Sequence, residues 1–219
     1  MASEPQPLLS TVTPPPKPES GKSALRENVI TIALALLLAL GLRTFVAEAR
    51  WIPSDSMLPT LAEGDRLVVE KLSYRFGDPQ RGDIIVFNPP AQLNFRGAYI
   101  KRLIGMPGDR LQVQPGVGVF INGILLQEPY TQEPAAYRLE TLGDIGTSCG
   151  LASPIGDPQA PIIVPEGTYF LMGDNRNNSQ DSHCWGFLPR KNLIGRTVFR
   201  WWPLSRLKHF GVVPYPELN

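Results

Sequence analysis

"GAYIKRLIGMPGDRLQV", residues 97–113, decides the fold. Its apolar and β-branched residues run in short stretches bounded by Gly, Pro and Asp, the signature of strands. The same signature recurs in "DRLVVEKL" (65–72), "GDIIVFNPP" (82–90), "GVGVFINGILL" (116–126), "GTYFLMGDN" (167–175) and "LIGRTVFRWWPL" (193–204). No helical period of comparable length interrupts them, and 23 prolines argue against a helical bundle. The expected fold is therefore mainly β, with small antiparallel sheets, over residues 48–219. Residues 135–161 have weak periodicity and many turn residues, and are expected to form an extended loop or small insertion.

Upstream, the composition changes. Residues 1–22 hold six prolines and no apolar period, too little to offset the entropy of ordering, so a disordered tail is expected, drawn to residue 28. From Val29 to Ala47 there are 19 residues whose only charge is Arg43. A helix of that length spans about 28 Å, close to the apolar thickness of a bilayer. The run "IALALLLAL" lacks the polar stripe of a core helix, and it starts too far from the terminus for a cleavable secretory signal. A transmembrane anchor over 29–47 is expected, with Arg43 snorkelling at its end. Lys17, Lys22 and Arg26 precede the span, which places the amino terminus inside and residues 48–219 outside the cytoplasm.

Composition excludes further classes. With 21 Lys and Arg spread against 20 Asp and Glu, the chain has no basic patch for a nucleic acid. Cys149 and Cys184 fit no zinc spacing, and only His183 and His209 could join them, so no metal and no cofactor is expected. Two buried thiols and one disulfide remain equally open for the cysteine pair.

Three stretches could carry chemistry. In "PSDSMLPTL" (53–61), Ser54 and Ser56 lie two apart, so in an extended segment they point the same way. A serine hydroxyl needs a base to take its proton. His183, with Asp181 nearby, is one candidate and would make a Ser-His-Asp triad. Lys101 is the other: it sits in an apolar strand among Tyr99, Ile100, Leu103 and Ile104, while alternation sends Arg102 to the opposite side. At its reference pKa a lysine is neutral in only about one molecule in 2,500 at pH 7, so it becomes a base only if burial lowers that value by about 3 units. The third stretch, "GDNRNNSQDSHCWG" (173–186), is a polar run directly after a strand, in which Asp174 or Asp181 is expected to lock onto Arg176. Trp201 and Trp202 read equally as sheet residues or as an interfacial belt.

"PSDSMLPTL", "GDRLVVEK", "KRLIGMPGD" and "GDNRNNSQDSH", in this order behind an apolar anchor, resemble the boxes of type I bacterial signal peptidases, membrane-bound Ser-Lys proteases of peptidase family S26. The resemblance implies Ser56 as nucleophile and Lys101 as general base. It implies Ser54 and the Ser56 N–H as oxyanion donors, Ser179 as the hydroxyl that orients the lysine, and Asp174, Arg176 and Asp181 as polar support. His183 departs from an arginine common in the family, which puts an Asp-Arg pairing there in doubt; "DSHxWG" is similar to cyanobacterial and plastid members. A neutral lysine calls for an apolar niche with no acid beside it. The implied activity is cleavage of preprotein signal peptides after small residues of the A-x-A type, in a plasma or thylakoid membrane. The implied partners are the signal peptides, membrane lipid and the protein export machinery. A bridge between Cys149 and Cys184 would tether the 135–161 insertion to the catalytic wall. The alternatives are a membrane-anchored binding module and a Ser-His-Asp hydrolase.

Overall fold

A proline-free apolar run builds α1, Gly21–Gly41, whose described side chains are almost all exposed. The computed structural model describes residues 21–90, 93, 97–139, 161–211, 213–215 and 218, with only the backbone for 21–23. The chain divides after Gly41 into two units, which are taken separately. The helix starts earlier than expected: residues 21–28, assigned to the tail, are helical. The physical reason is that "SALRE" contains good helix formers, and the last proline upstream is Pro18. Ala24–Val46, 23 residues, is long and apolar enough to cross a bilayer.

The second unit opens with a wider π-helical turn, Leu42–Val46. Its strands are β1 Ala47–Trp51, β2 Arg66–Glu70, β3 Ile84–Phe87, β4 Tyr99–Gly105, β5 Arg110–Gln114, β6 Gly118–Ile121, β7 Ile124–Leu125, β8 Ile162–Ile163, β9 Thr168–Met172, β10 Leu188–Pro189, β11 Leu193–Trp202 and β12 Lys208–His209. Two short helices, α2 Ser73–Phe76 and α3 Ser182–Trp185, lie between them. Pairing is antiparallel throughout. The larger sheet runs β1-β2-β11-β3-β4-β9-β10 with β12 on β11, and the smaller β7-β6-β5-β8. The mainly β expectation holds, and each quoted stretch contains a strand. Among strands not anticipated, β1 ("AEARW") has no β-branched residue; it forms because all five residues pair with β2.

Burial follows position in the sheet. β3 is buried at all four residues and β4 at six of seven, because each has a strand on both sides. One face of the large sheet carries Ile52, Met57, Leu61, Leu67, Val69, Ile84, Val86 and Ile100. The other carries Ile85, Phe87, Leu103, Leu171, Trp185 and Leu188. A third cluster, including Ile104, Leu111, Val119, Ile121, Phe170 and Met172, joins β4 and β9 to the smaller sheet. Of the expected insertion, Ala135 and Leu139 are buried and residues 140–160 lie outside the described residues. At the end of β11, the Arg66 guanidinium lies 5.5 and 5.9 Å from the ring centroids of Trp201 and Trp202.

Candidate active site

Between β1 and β2 the chain makes a tight excursion over residues 52–65. Its neck is closed by Ile52 N–H to Asp65 carbonyl and Gly64 N–H to Ile52 carbonyl, both 2.9 Å. Inside it, Met57 and Leu61 are fully buried, and each such side chain contributes about 1.5–3 kcal/mol. These apolar pins fix the position of the residue before them, Ser56. Its carbonyl also accepts a 3.1 Å hydrogen bond from the Asn175 N–H, which ties the serine loop to the 173–186 loop.

Lys101 comes from the middle of β4, in register with Ile85 of β3; pairing of β4 with β9 starts one residue later, at Arg102 opposite Met172. The Lys101 side chain is 5% exposed and its Nζ lies 2.6 Å from Ser56 Oγ. Ser54 Oγ is 3.4 Å from Ser56 Oγ. These residues open onto a cleft of about 480 Å³, lined also by Pro53, Tyr99, Ile100 and Ser179. Serine and lysine, 45 positions apart in sequence, thus meet at an interior strand of the larger sheet.

The electrostatics around the amine are opposed. Burial pulls the Lys101 pKa down, while the negative charges of Asp181 and Asp174 push it up; burial wins and the value is about 8. The expected niche free of acids is therefore not what the fold provides. Instead each acid is held by its own partners. Asp174 is bridged by Arg102 through Nε at 2.7 Å and Nη2 at 2.6 Å. Asp181 accepts from the Gly173 N–H at 2.8 Å, the Ser179 hydroxyl at 2.7 Å and the His183 N–H at 3.1 Å, and its Oδ1 lies 2.7 Å from His183 Nδ1. Burial raises the Asp181 pKa, but His183 and these donors outweigh it and hold the carboxyl below its ordinary value.

Two expectations about this loop are corrected. Asp174 and Asp181 do not lock onto Arg176. Arg176 is fully buried and forms a two-point bridge to Glu128 at 2.8 and 2.6 Å, while its Nε donates to the Gly173 carbonyl. The reason is topological: Arg102 sits opposite Met172, two residues before Asp174, whereas Arg176 turns inward to the segment after β7. Ser179, expected to orient Lys101, lines the cleft but gives its hydroxyl hydrogen to Asp181, as an ionised carboxylate is the stronger acceptor. At the position where an Asp-Arg pairing is in doubt, Asp181 meets the imidazole of His183 instead of a guanidinium. His183 does not line the cleft among the described residues; its Nε2 is 3.4 Å from Cys184 Sγ and Tyr137 stacks on its ring at 4.1 Å. Cys184 is held in a disulfide, and the chain's other cysteine, Cys149, lies outside the described residues.

Glu128 and Tyr130 were missed. The Tyr130 hydroxyl donates to Glu128 at 2.8 Å, and its ring lies 3.9 Å from the Arg102 guanidinium. Gly173 was also missed as a packing site. A Cβ there would overlap Ser179 Oγ and the Ser56 carbonyl, so only glycine lets the two loops approach this closely.

The family model described as "Signal peptidase, peptidase S26" matches residues 25–202. The chain is 47% identical over 211 residues to a signal peptidase I from Leptolyngbya laminosa, covering 92% of this chain and 94% of that one. It is 33% identical over 190 residues to signal peptidase IB of Staphylococcus aureus, covering 86% and 95%. Over 193 residues it is 37% identical to the chloroplast thylakoidal processing peptidase 1 of Arabidopsis thaliana, covering 84% of this chain and 51% of that longer one. With its sequence matched over most of its length, the chain belongs to the peptidase S26 family of signal peptidases.

Proposed function

We propose that this peptidase is a membrane-anchored serine endopeptidase that removes signal peptides from exported preproteins, with Ser56 as nucleophile and Lys101 as general base. The observation that carries this reading is the buried, pKa-lowered amine 2.6 Å from a serine hydroxyl at the floor of an open cleft. The neutral amine takes the Ser56 proton as Oγ attacks the scissile carbonyl. The resulting oxyanion is received by the Ser56 N–H and the Ser54 hydroxyl. Lys101, now an ammonium ion, gives its proton to the leaving amine. Water, deprotonated by the same lysine, then hydrolyses the acyl-enzyme. Asp174 with Arg102, Arg176 with Glu128, and Asp181 with Ser179 and His183 support the site from behind.

Cleavage after small residues of the A-x-A type is the specificity that the family resemblance implies, and Pro53, Ala98 and Ile100 supply apolar walls to the cleft beside Ser56. The apolar segment Ala24–Val46 serves as the anchor, with the catalytic unit on the extracytoplasmic side of a plasma or thylakoid membrane. Anchoring raises the effective concentration of emerging signal peptides, and export machinery and lipid are the expected neighbours. The Ser-His-Asp reading is disfavoured because the His183 ring nitrogens face Asp181 and Cys184. One panel tests the assignment on a preprotein in membranes. Ser56→Ala and Lys101→Met are expected to be inactive and His183→Ala to cleave. An inactive His183→Ala beside a largely active Lys101→Met would favour the triad, and full function of the first two would favour a binding module.

A further inference from the structure

We propose that His183 is a positioning residue for the general base: through Asp181 it sets how much negative charge the Lys101 amine experiences. The inference rests on Lys101 being the base, and it follows from how differently the two nearby acids are compensated. Asp174 is bridged at both oxygens by a guanidinium, a permanent cation. Asp181 is fully buried, and the cation-forming side chain bonded to it is an imidazole, 2.7 Å from Oδ1. Its other oxygen takes a backbone N–H and a hydroxyl, which satisfy the lone pairs but carry no net charge. The charge compensation of Asp181 thus rests on an imidazole, where Asp174 has a guanidinium.

The ring is held so that only this edge serves Asp181. Tyr137 stacks flat on it, tilted by 19°, and Nε2 abuts Cys184 Sγ at 3.4 Å. Among the described residues, the titratable and charged groups around it can be named. Asp181 lies on its own loop. The Tyr137 phenol is kept neutral by burial, and the disulfide-held Cys184 does not titrate. Ser179 is bonded to the other oxygen of Asp181 and the carboxylate charge acts on Lys101, while Arg176 and Glu128, whose charges reach Tyr137, neutralise each other in their two-point bridge. A cation fixed at position 183 lowers the field at Lys101 and makes the free amine easier to form; a neutral side chain there leaves the full carboxylate charge acting on it.

The test compares His183→Arg, a permanent cation, with His183→Asn, a neutral donor, in the full chain in detergent micelles. The pH dependence of kcat/KM on a preprotein peptide is read from pH 6 to 9.5. The acid limb of the Arg variant is expected at lower pH than that of the Asn variant by roughly half a unit or more, about a threefold rate difference at pH 6.5 that closes near pH 9. Coincident limbs overturn the proposal. A structural role alone would change the plateau and leave the limb in place. His183→Lys and His183→Gln form a second pair if either variant fails to fold, and ¹³C NMR of the Lys101 ε-carbon reads the same separation where turnover is too slow. Lys101→Met is the control: if it stays active, the base assignment itself falls, whereas an inactive Lys101→Met with coincident limbs refutes the role of His183 alone.

Discussion

Replacing Lys101 with methionine is expected to abolish cleavage and yet stabilise the catalytic unit at neutral pH. Lowering the amine from 10.5 to about 8 means that the charged form is about 3 kcal/mol less favourable in the fold than in the unfolded chain. Methionine fills a similar volume with an unbranched apolar chain and removes this penalty. The Ser56 hydroxyl loses its partner, which costs about 1 kcal/mol at a site that borders the cleft, so the net gain is about 2 kcal/mol at pH 7. The pH dependence gives the sign. Between about pH 8 and 10.5 the unfolded lysine still binds a proton that the folded one has released, so wild-type stability rises with pH across that window. The methionine variant lacks this rise, and its advantage vanishes by pH 10.5. Urea unfolding of the full chain in micelles, followed by tryptophan fluorescence, reports it, because all four tryptophans (51, 185, 201 and 202) lie in the catalytic unit. A variant less stable than wild type at pH 7, or a difference that does not change with pH, would refute the argument.

Wild-type kcat/KM should rise about tenfold per pH unit below pH 8 and level off above it, since the free amine is present in about one molecule in ten at pH 7; a flat profile from pH 6 to 9 speaks against a lysine base. Arg102→Met strands the buried Asp174 charge and is expected to cost about 3–5 kcal/mol in urea unfolding, with a loss under 1 kcal/mol contradicting the pairing. Gly173→Ala forces the Ser56 and Ser179 loops apart and should lower kcat about 100-fold or more while circular dichroism stays native. In vesicle flotation, the full chain is expected to rise with lipid, and a chain lacking residues 1–46 to lose most of that binding.

The strands were legible because apolar runs bounded by turn residues are a local signal, and so was the apolar segment, whose length alone marks it. The start of α1 was not, because residues 21–28 have ordinary polarity and helix propagates into them from the apolar run. Ser56 and Lys101 could be nominated from their motifs, but bringing them within 2.6 Å depends on Met57 and Leu61 being buried against a sheet whose order sequence does not encode locally. The partners of the acids were the least legible. Arg176 pairs with Glu128, 48 positions away, and Arg102 with Asp174, 72 positions away, so proximity within the polar loop misled. β12 and β8 are two-residue strands with no sequence period, made by pairing to β11 and β5.

The most direct measurement is the titration of Lys101 itself, followed by ¹³C NMR of its labelled ε-carbon in the folded wild-type chain, with Lys101→Met identifying the resonance. A midpoint near pH 8 is what burial beside two compensated carboxylates requires. A midpoint above pH 10 would mean that the amine stays protonated throughout the working range, and the Ser56–Lys101 mechanism would be contradicted.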